Sequence, residues 1–154
     1  MKIIIVMLMV LSSVNIAAQD VLKVGDTLGA LPLTDQHDKT LVLTPVVKQI
    51  IFAADKSTST WVGDFLDAKA AAWLAENSSV YVADIHKMPK LISRMIALPK
   101  LREKSYSVYL GRTATALSKL PHKEACVTLV GVDALVVTAI EYICSPQELV
   151  VALN

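Results

Sequence analysis

Cysteine is nearly absent from this chain: there are two, Cys126 and Cys144, and none between Gln19 and Glu124. Nucleophilic thiol chemistry is therefore excluded from everything ahead of Cys126. Aromatic residues make up 5% and charged residues 19%, and no block of like charge occurs. That argues against a nucleic-acid or anionic-membrane surface, which needs clustered cations, and against a stacking platform for single strands. No apolar run reaches membrane length. The longest, Ile3 to Leu11, is about half the roughly 20 residues a bilayer-spanning helix requires. No cysteine directly follows Leu11-Ser12-Ser13, so the acylated residue of a lipoprotein is missing.

What the first residues do contain is an export pattern. Met1-Lys2 gives a positive start, the run from Ile3 is apolar, and Ala17-Ala18 offers a small-residue cleavage point before Gln19. Cleavage after Ala18 is expected, leaving residues 19–154 as one soluble domain with no membrane span, periplasmic or secreted. With Lys2 removed, fourteen basic residues balance fourteen acidic ones.

Along that domain, residues 28–43 alternate loosely around a polar turn at Asp35-Gln36-His37-Asp38, which predicts an N-terminal β-hairpin. Residues 46–53 are nearly all apolar, as in a strand buried on both faces. Hydroxyls at Ser57 to Thr60 predict a helix cap, and apolar spacing from Trp61 predicts a long helix ending near Asn77. A strand over 80–85 and a helix from Pro89 that stops at Pro99 follow. Residues 106–110 read as a strand and 113–120 as a short helix or turn. Residues 125–132 and 135–143 read as an antiparallel pair turning at Asp133-Ala134. Ser145-Pro146-Gln147-Glu148 opens a last helix, with a serine cap, proline at the first position and glutamate three residues after the cap.

This order of elements resembles the thioredoxin-like fold in its peroxiredoxin and TlpA-type form. The segments that carry the likeness are Gly25-Asp26 through Lys39, Ile50-Ile51-Phe52-Ala53-Ala54 before a helix, and Tyr106-Ser107-Val108-Tyr109-Leu110 leading to Val127-Thr128-Leu129-Val130. The resemblance implies an α/β, three-layer α/β/α sandwich with an N-terminal β-hairpin and a C-terminal helix. It also implies a Cys-x-x-Cys at the start of the first helix, and counting on from Phe52 puts Ser57 and Thr60 there. A hydroxyl at a helix N-terminus is too weak an acid to become the nucleophilic anion a cysteine supplies. The cis-proline that the family places before the facing strand would fall near Cys126 or Val127, whereas Pro121 lies upstream.

Cys126 and Cys144 leave three readings open: a structural disulfide, two buried thiols, or a working redox pair. If Asp133-Ala134 is a two-residue turn, residue 126 faces 141, and only a longer turn or a bulge brings Cys144 opposite. His37, His86 and His122 are scattered, with Asp84-Ile85-His86 the one suggestive local pair. The hydroxyl-rich Asp55 to Thr60 could bind an anion but lacks glycine, so capping explains it more simply. Met88, Met95, Trp61 and Trp73 read as core residues at helical spacing. No metal or cofactor is implied. The expected function is an exported, redox-inactive domain that binds a protein or peptide of the cell envelope, the alternative being a thiol–disulfide oxidoreductase using Cys126 and Cys144.

Overall fold

The computed structural model describes residues 20–154, so the export signal and the cleavage point after Ala18 lie outside the described residues. Five strands make one sheet: β1 (Gln49–Ala53), β2 (Ser79–Asp84), β3 (Tyr109–Gly111), β4 (Val127–Asp133) and β5 (Val136–Ile143). Six helices accompany them: α1 (Lys56–Asp67), α2 (Trp73–Glu76), α3 (Lys90–Ile92), α4 (Leu98–Arg102), α5 (Ala114–Leu117) and α6 (Pro146–Leu153). The strand order is β3-β2-β1-β4-β5, with β1, β2 and β3 parallel and β4 and β5 each antiparallel to its neighbour.

Strand β1 is central, and Ile50 to Ala53 are all buried, as an unbroken apolar run requires when both faces are covered. Alternation sends its side chains into two cores. Ile51 and Ala53 meet Val62, Phe65 and Leu66 of α1 and Leu149 and Leu153 of α6. Ile50 and Phe52 meet Leu117 of α5 together with Leu22, Leu28, Leu31 and Leu33. The architecture is thus the expected three-layer sandwich, with one outer layer built mostly from an irregular N-terminal segment.

Four local departures from the sequence reading have identifiable causes. The N-terminal hairpin is reduced to one bridge, Thr34 to Thr40, flanked by hydrogen bonds from Asp35 N–H to the Lys39 carbonyl and from Leu41 N–H to the Leu33 carbonyl. Its turn is not a solvated one. Asp35 and Gln36 are each 1% exposed.

The long helix predicted to Asn77 breaks after α1 because Phe65 and Trp73 pack edge to face with ring centroids 5.0 Å apart. Eight residues of unbroken helix would separate them by about 12 Å along the axis. Pro99 does not end its helix. A π-helical turn, Ser93–Ala97, joins α3 to α4, and Leu98 N–H donates to the Ser93 carbonyl five residues back. Widening the turn accommodates a residue that has no N–H of its own and whose ring would clash in a regular helix.

The β4–β5 turn is Ala134-Leu135, both at positive φ (46° and 66°), between the paired Asp133 and Val136. Moving a two-residue turn one place along shifts every pairing by two, and the bulge between Gly131 and Val132 adds one more. Together these shifts set Val127 opposite Ile143, and the next position out sets Cys126 opposite Cys144.

Candidate functional site

The carboxyl ends of β1 and β2 lead into the loops where α/β folds commonly place their sites. From β1 the chain passes through Ala54 to Asp55, the N-cap of α1, in extended conformation. The Asp55 carboxylate accepts the Thr58 N–H at 2.9 Å, and the Asp55 N–H donates to Thr58 Oγ1 at 3.3 Å. This reciprocal pair is a capping box, and Thr58 is fully buried beneath it.

The helix therefore starts earlier than the hydroxyl cluster suggested. Ser57 and Thr60 fall at its second and fifth positions and are both exposed, with Thr60 Oγ1 donating to the Lys56 carbonyl at 2.9 Å. The two side chains that meet across a spacing of three at the helix start are Asp55 and Thr58. The signal for them was present as an acidic residue three places ahead of a threonine, directly before the apolar stripe. Because the Asp55 carboxylate already takes the Thr58 N–H, the loop is a cap rather than an anion cradle.

A cavity of about 650 Å³ opens beside this cap. Asp55, Asp84 and His86 border it on the strand side, and Leu117, His122 and Glu124 on the other. Asp84 Oδ1 accepts the His86 backbone N–H at 2.8 Å and lies 2.6 Å from His86 Nδ1. One carboxylate oxygen thus fixes both the bend after β2 and the orientation of the imidazole, leaving Nε2 as the free edge. The structure brings His86 and His122 to the same cavity. His37 stays in the N-terminal turn, where its N–H donates to Asp35. Among the described residues no group of three side chains is arranged to hold a metal.

A second cavity of about 650 Å³, more apolar, lies between α1 and α4 and is bordered by Gly63, Tyr81, Leu101 and Tyr106. Burial pushes the Tyr81 hydroxyl far above the ordinary tyrosine range, so it stays protonated. Trp61 and Trp73 pack against the core as expected, and Met88 borders this second cavity. Met95 does not pack inside: it is exposed.

Cys126 and Cys144 are joined in a disulfide, with Cα atoms 4.1 Å apart. It ties the start of β4 to the end of β5, one place beyond the Val127–Ile143 pair. Since Ala53 pairs with Val127, the same step places Cys126 beside Ala54, next to the α1 cap. Cys126 is buried and Cys144 exposed. No free cysteine occurs among the described residues, and none of their peptide bonds is cis, so Pro121 and the bond before Val127 are trans.

No protein-family model matches the chain, and no curated protein matches it. Solved structures do. A peroxiredoxin-like protein from Aquifex aeolicus superposes with a TM-score of 0.55 at 11% identity, covering 88% of this chain and 88% of that one. A thioredoxin-like protein from Porphyromonas gingivalis gives a TM-score of 0.51 at 15% identity, over 82% of this chain and 88% of its own. A thiol peroxidase from Chromobacterium violaceum gives 0.50 at 14% identity, over 83% and 80%. Identities this low speak for the fold alone.

Proposed function

We propose that this chain, whose fold is thioredoxin-like, is a binding module of the cell envelope that does no thiol chemistry at the start of its first helix. The observation that carries this reading is the capping box. In a redox-active relative the N–H groups at this helix start would stabilise a thiolate. Here the Thr58 N–H is taken by the Asp55 carboxylate, no cysteine is near in sequence, and the exposed residues are Ser57 and Thr60. What remains is the cavity between the Asp55 loop and His122–Glu124, a groove with polar edges and an apolar floor that suits an extended peptide. The purified protein should reduce insulin disulfides no faster than the buffer control. Efficient reduction would overturn the reading. Peptide binding in the groove should weaken about tenfold or more when Glu124 and His122 are both changed to alanine.

A second reading rests on the exposure of Cys144. An incoming thiolate could attack the Cys144 sulfur, form a mixed disulfide with it and release Cys126 as the leaving thiolate. On that reading the bond opens in the native protein under mild reductant. Alkylation under graded dithiothreitol, read by mass spectrometry with and without denaturant, separates the two readings: a purely structural bond is labelled only after unfolding.

A further inference from the structure

The acid–base balance of the whole chain hides one local exception. Residues 87–104 contain six of the fifteen basic residues, Lys87, Lys90, Arg94, Lys100, Arg102 and Lys104, and one of the fourteen acidic residues, Glu103. They are interleaved with apolar residues rather than set in a row, which is why the sequence shows no charge block. The structure winds most of the segment into one continuous helical stretch, α3, the π turn and α4.

Its inner side is fixed by Leu98 and Leu101, which pack on the core under α1. The other side is apolar as well. Leu91 is 68% exposed, Ile92 42%, Met95 69% and Ile96 48%. Their spacing of one and four residues places them on a single flank of the helix. Of the cations, Lys104 pairs with Asp67 and Arg102 donates to the Gln36 carbonyl, but Lys87, Lys90, Arg94 and Lys100 form no salt bridge among the described residues.

We propose that this helix is a docking surface for an anionic lipid bilayer, with Leu91, Ile92, Met95 and Ile96 entering the interface and Lys87, Lys90, Arg94 and Lys100 meeting lipid phosphates. A protein partner is recognised through directional hydrogen bonds as well as apolar contact. This flank supplies donors of one charge only: from Lys87 to Lys100 there is no carboxylate and no side-chain amide, and the Ser93 hydroxyl donates to the Lys90 carbonyl at 2.9 Å. Protruding aliphatic side chains beside unpaired cations are instead what a fluid, negatively charged surface takes up, and long lysine and arginine stems let the charged ends stay at headgroup level. The proposal does not rest on the peptide groove; of its residues only Lys87 also borders that cavity.

The test is co-sedimentation of the full chain with vesicles of phosphatidylcholine containing phosphatidylglycerol, against two double variants, L91S/M95S and K90E/R94E. All four positions are exposed, so both variants should keep the parent's circular dichroism and unfolding midpoint. Every arm carries the same N-terminal residues, so a difference between arms reads this helix alone. Each variant should lower the vesicle-bound partition about tenfold or more, and added salt should erase the difference between parent and K90E/R94E. Partition of both variants within about twofold of the parent would overturn the proposal. So would loss of a dimer in L91S/M95S, seen by sedimentation velocity, without any vesicle binding by the parent, since a second copy would then be the occupant.

Discussion

Two neighbouring polar residues tie the N-terminal turn to the rest of the molecule. Gln36 Nε2 donates to the Tyr106 carbonyl at 2.7 Å and Gln36 Oε1 accepts the Val108 N–H at 2.8 Å, so a side-chain amide pairs, as a peptide group would, with the segment leading into β3, which begins only at Tyr109 rather than at the expected residue 106. Gln36→Ala leaves both backbone groups buried and unpaired, which should cost about 2–4 kcal/mol in urea unfolding. Asp35 beside it is buried, and burial alone would push its carboxyl up. The N–H groups of Lys39 and His37, the Ser107 hydroxyl and the nearby His37 ring more than offset this and hold it below its ordinary 3.8. A carboxyl lowered on folding stabilises the protein above its unfolded pKa and ceases to do so as pH falls through the folded one. Asp35→Asn should therefore be clearly less stable than the parent at neutral pH, with the gap in urea midpoint closing below pH 3.8. A gap that stays constant into acid would show that the charge of Asp35 contributes nothing. The disulfide acts through the unfolded chain instead. Closing a loop between residues 18 apart should contribute about 3 kcal/mol, so Cys126→Ala with Cys144→Ala should lower the unfolding free energy by that order.

Elements were legible in the sequence where local chemistry alone decides them. Ser145 caps α6 through the Glu148 N–H, with Pro146 at the first position, as the four-residue signature states. The central strand followed from Ile50-Ile51-Phe52 for the same reason, since nothing but burial on both faces suits such a run. Register was not legible. It depends on a type I′ turn, which normally advertises itself as Asn-Gly, and here Ala134 and Leu135 adopt positive φ with no residue suited to it. The Asp133 carboxylate that begins the turn is held by Lys48 across the sheet, a long-range pairing that local patterns do not report. The site was half legible for a related reason: the loop and the missing cysteines could be read, but the cap residue itself was masked by four competing hydroxyls. Because the turn is locally strained, Ala134→Asn should stabilise the hairpin by about 0.5–1 kcal/mol, read as a raised thermal midpoint. Gly111 supplies the opposite case. A Cβ there would sit 2.4 Å from the Leu117 side chain, so β3 and α5 touch through the absence of a side chain. Gly111→Ala should cost about 1–3 kcal/mol, and Leu117→Ala should cost less in that background than in the parent, because the added methyl takes up part of the space it opens.

At the scale of the whole molecule the two sheet faces are covered by different means, and their vulnerabilities differ accordingly. One face carries α1, α4 and α6, elements whose backbone groups are satisfied internally. The other is closed by α5 and by residues 20–43, which have almost no regular structure and depend on bonds to distant parts of the chain. Leu22 N–H donates to the Lys119 carbonyl, Gly25 N–H to Val137, Leu28 N–H to Leu135, and Val137 N–H returns to Asp26. Thr27 bridges to Val136 at the sheet edge, so this segment also covers the outer side of the β4–β5 hairpin. Its apolar side chains Leu22, Leu28 and Leu31 are each under a tenth exposed and belong to the same core as Ile50, Phe52 and Val130. Losing them uncovers the sheet rather than trimming a tail. A chain beginning at Asp20 keeps both cores and should unfold in one cooperative transition. A chain beginning at Pro32 loses three buried leucines, each worth about 2–5 kcal/mol, together with the edge cover of β5. That total approaches the full stability of a domain of this size, so the shorter chain should bind a hydrophobic dye, lose its cooperative transition and aggregate. If it instead unfolds as sharply as the longer chain at a similar midpoint, the N-terminal segment is an accessory, and the second core is held by α5 and the sheet alone.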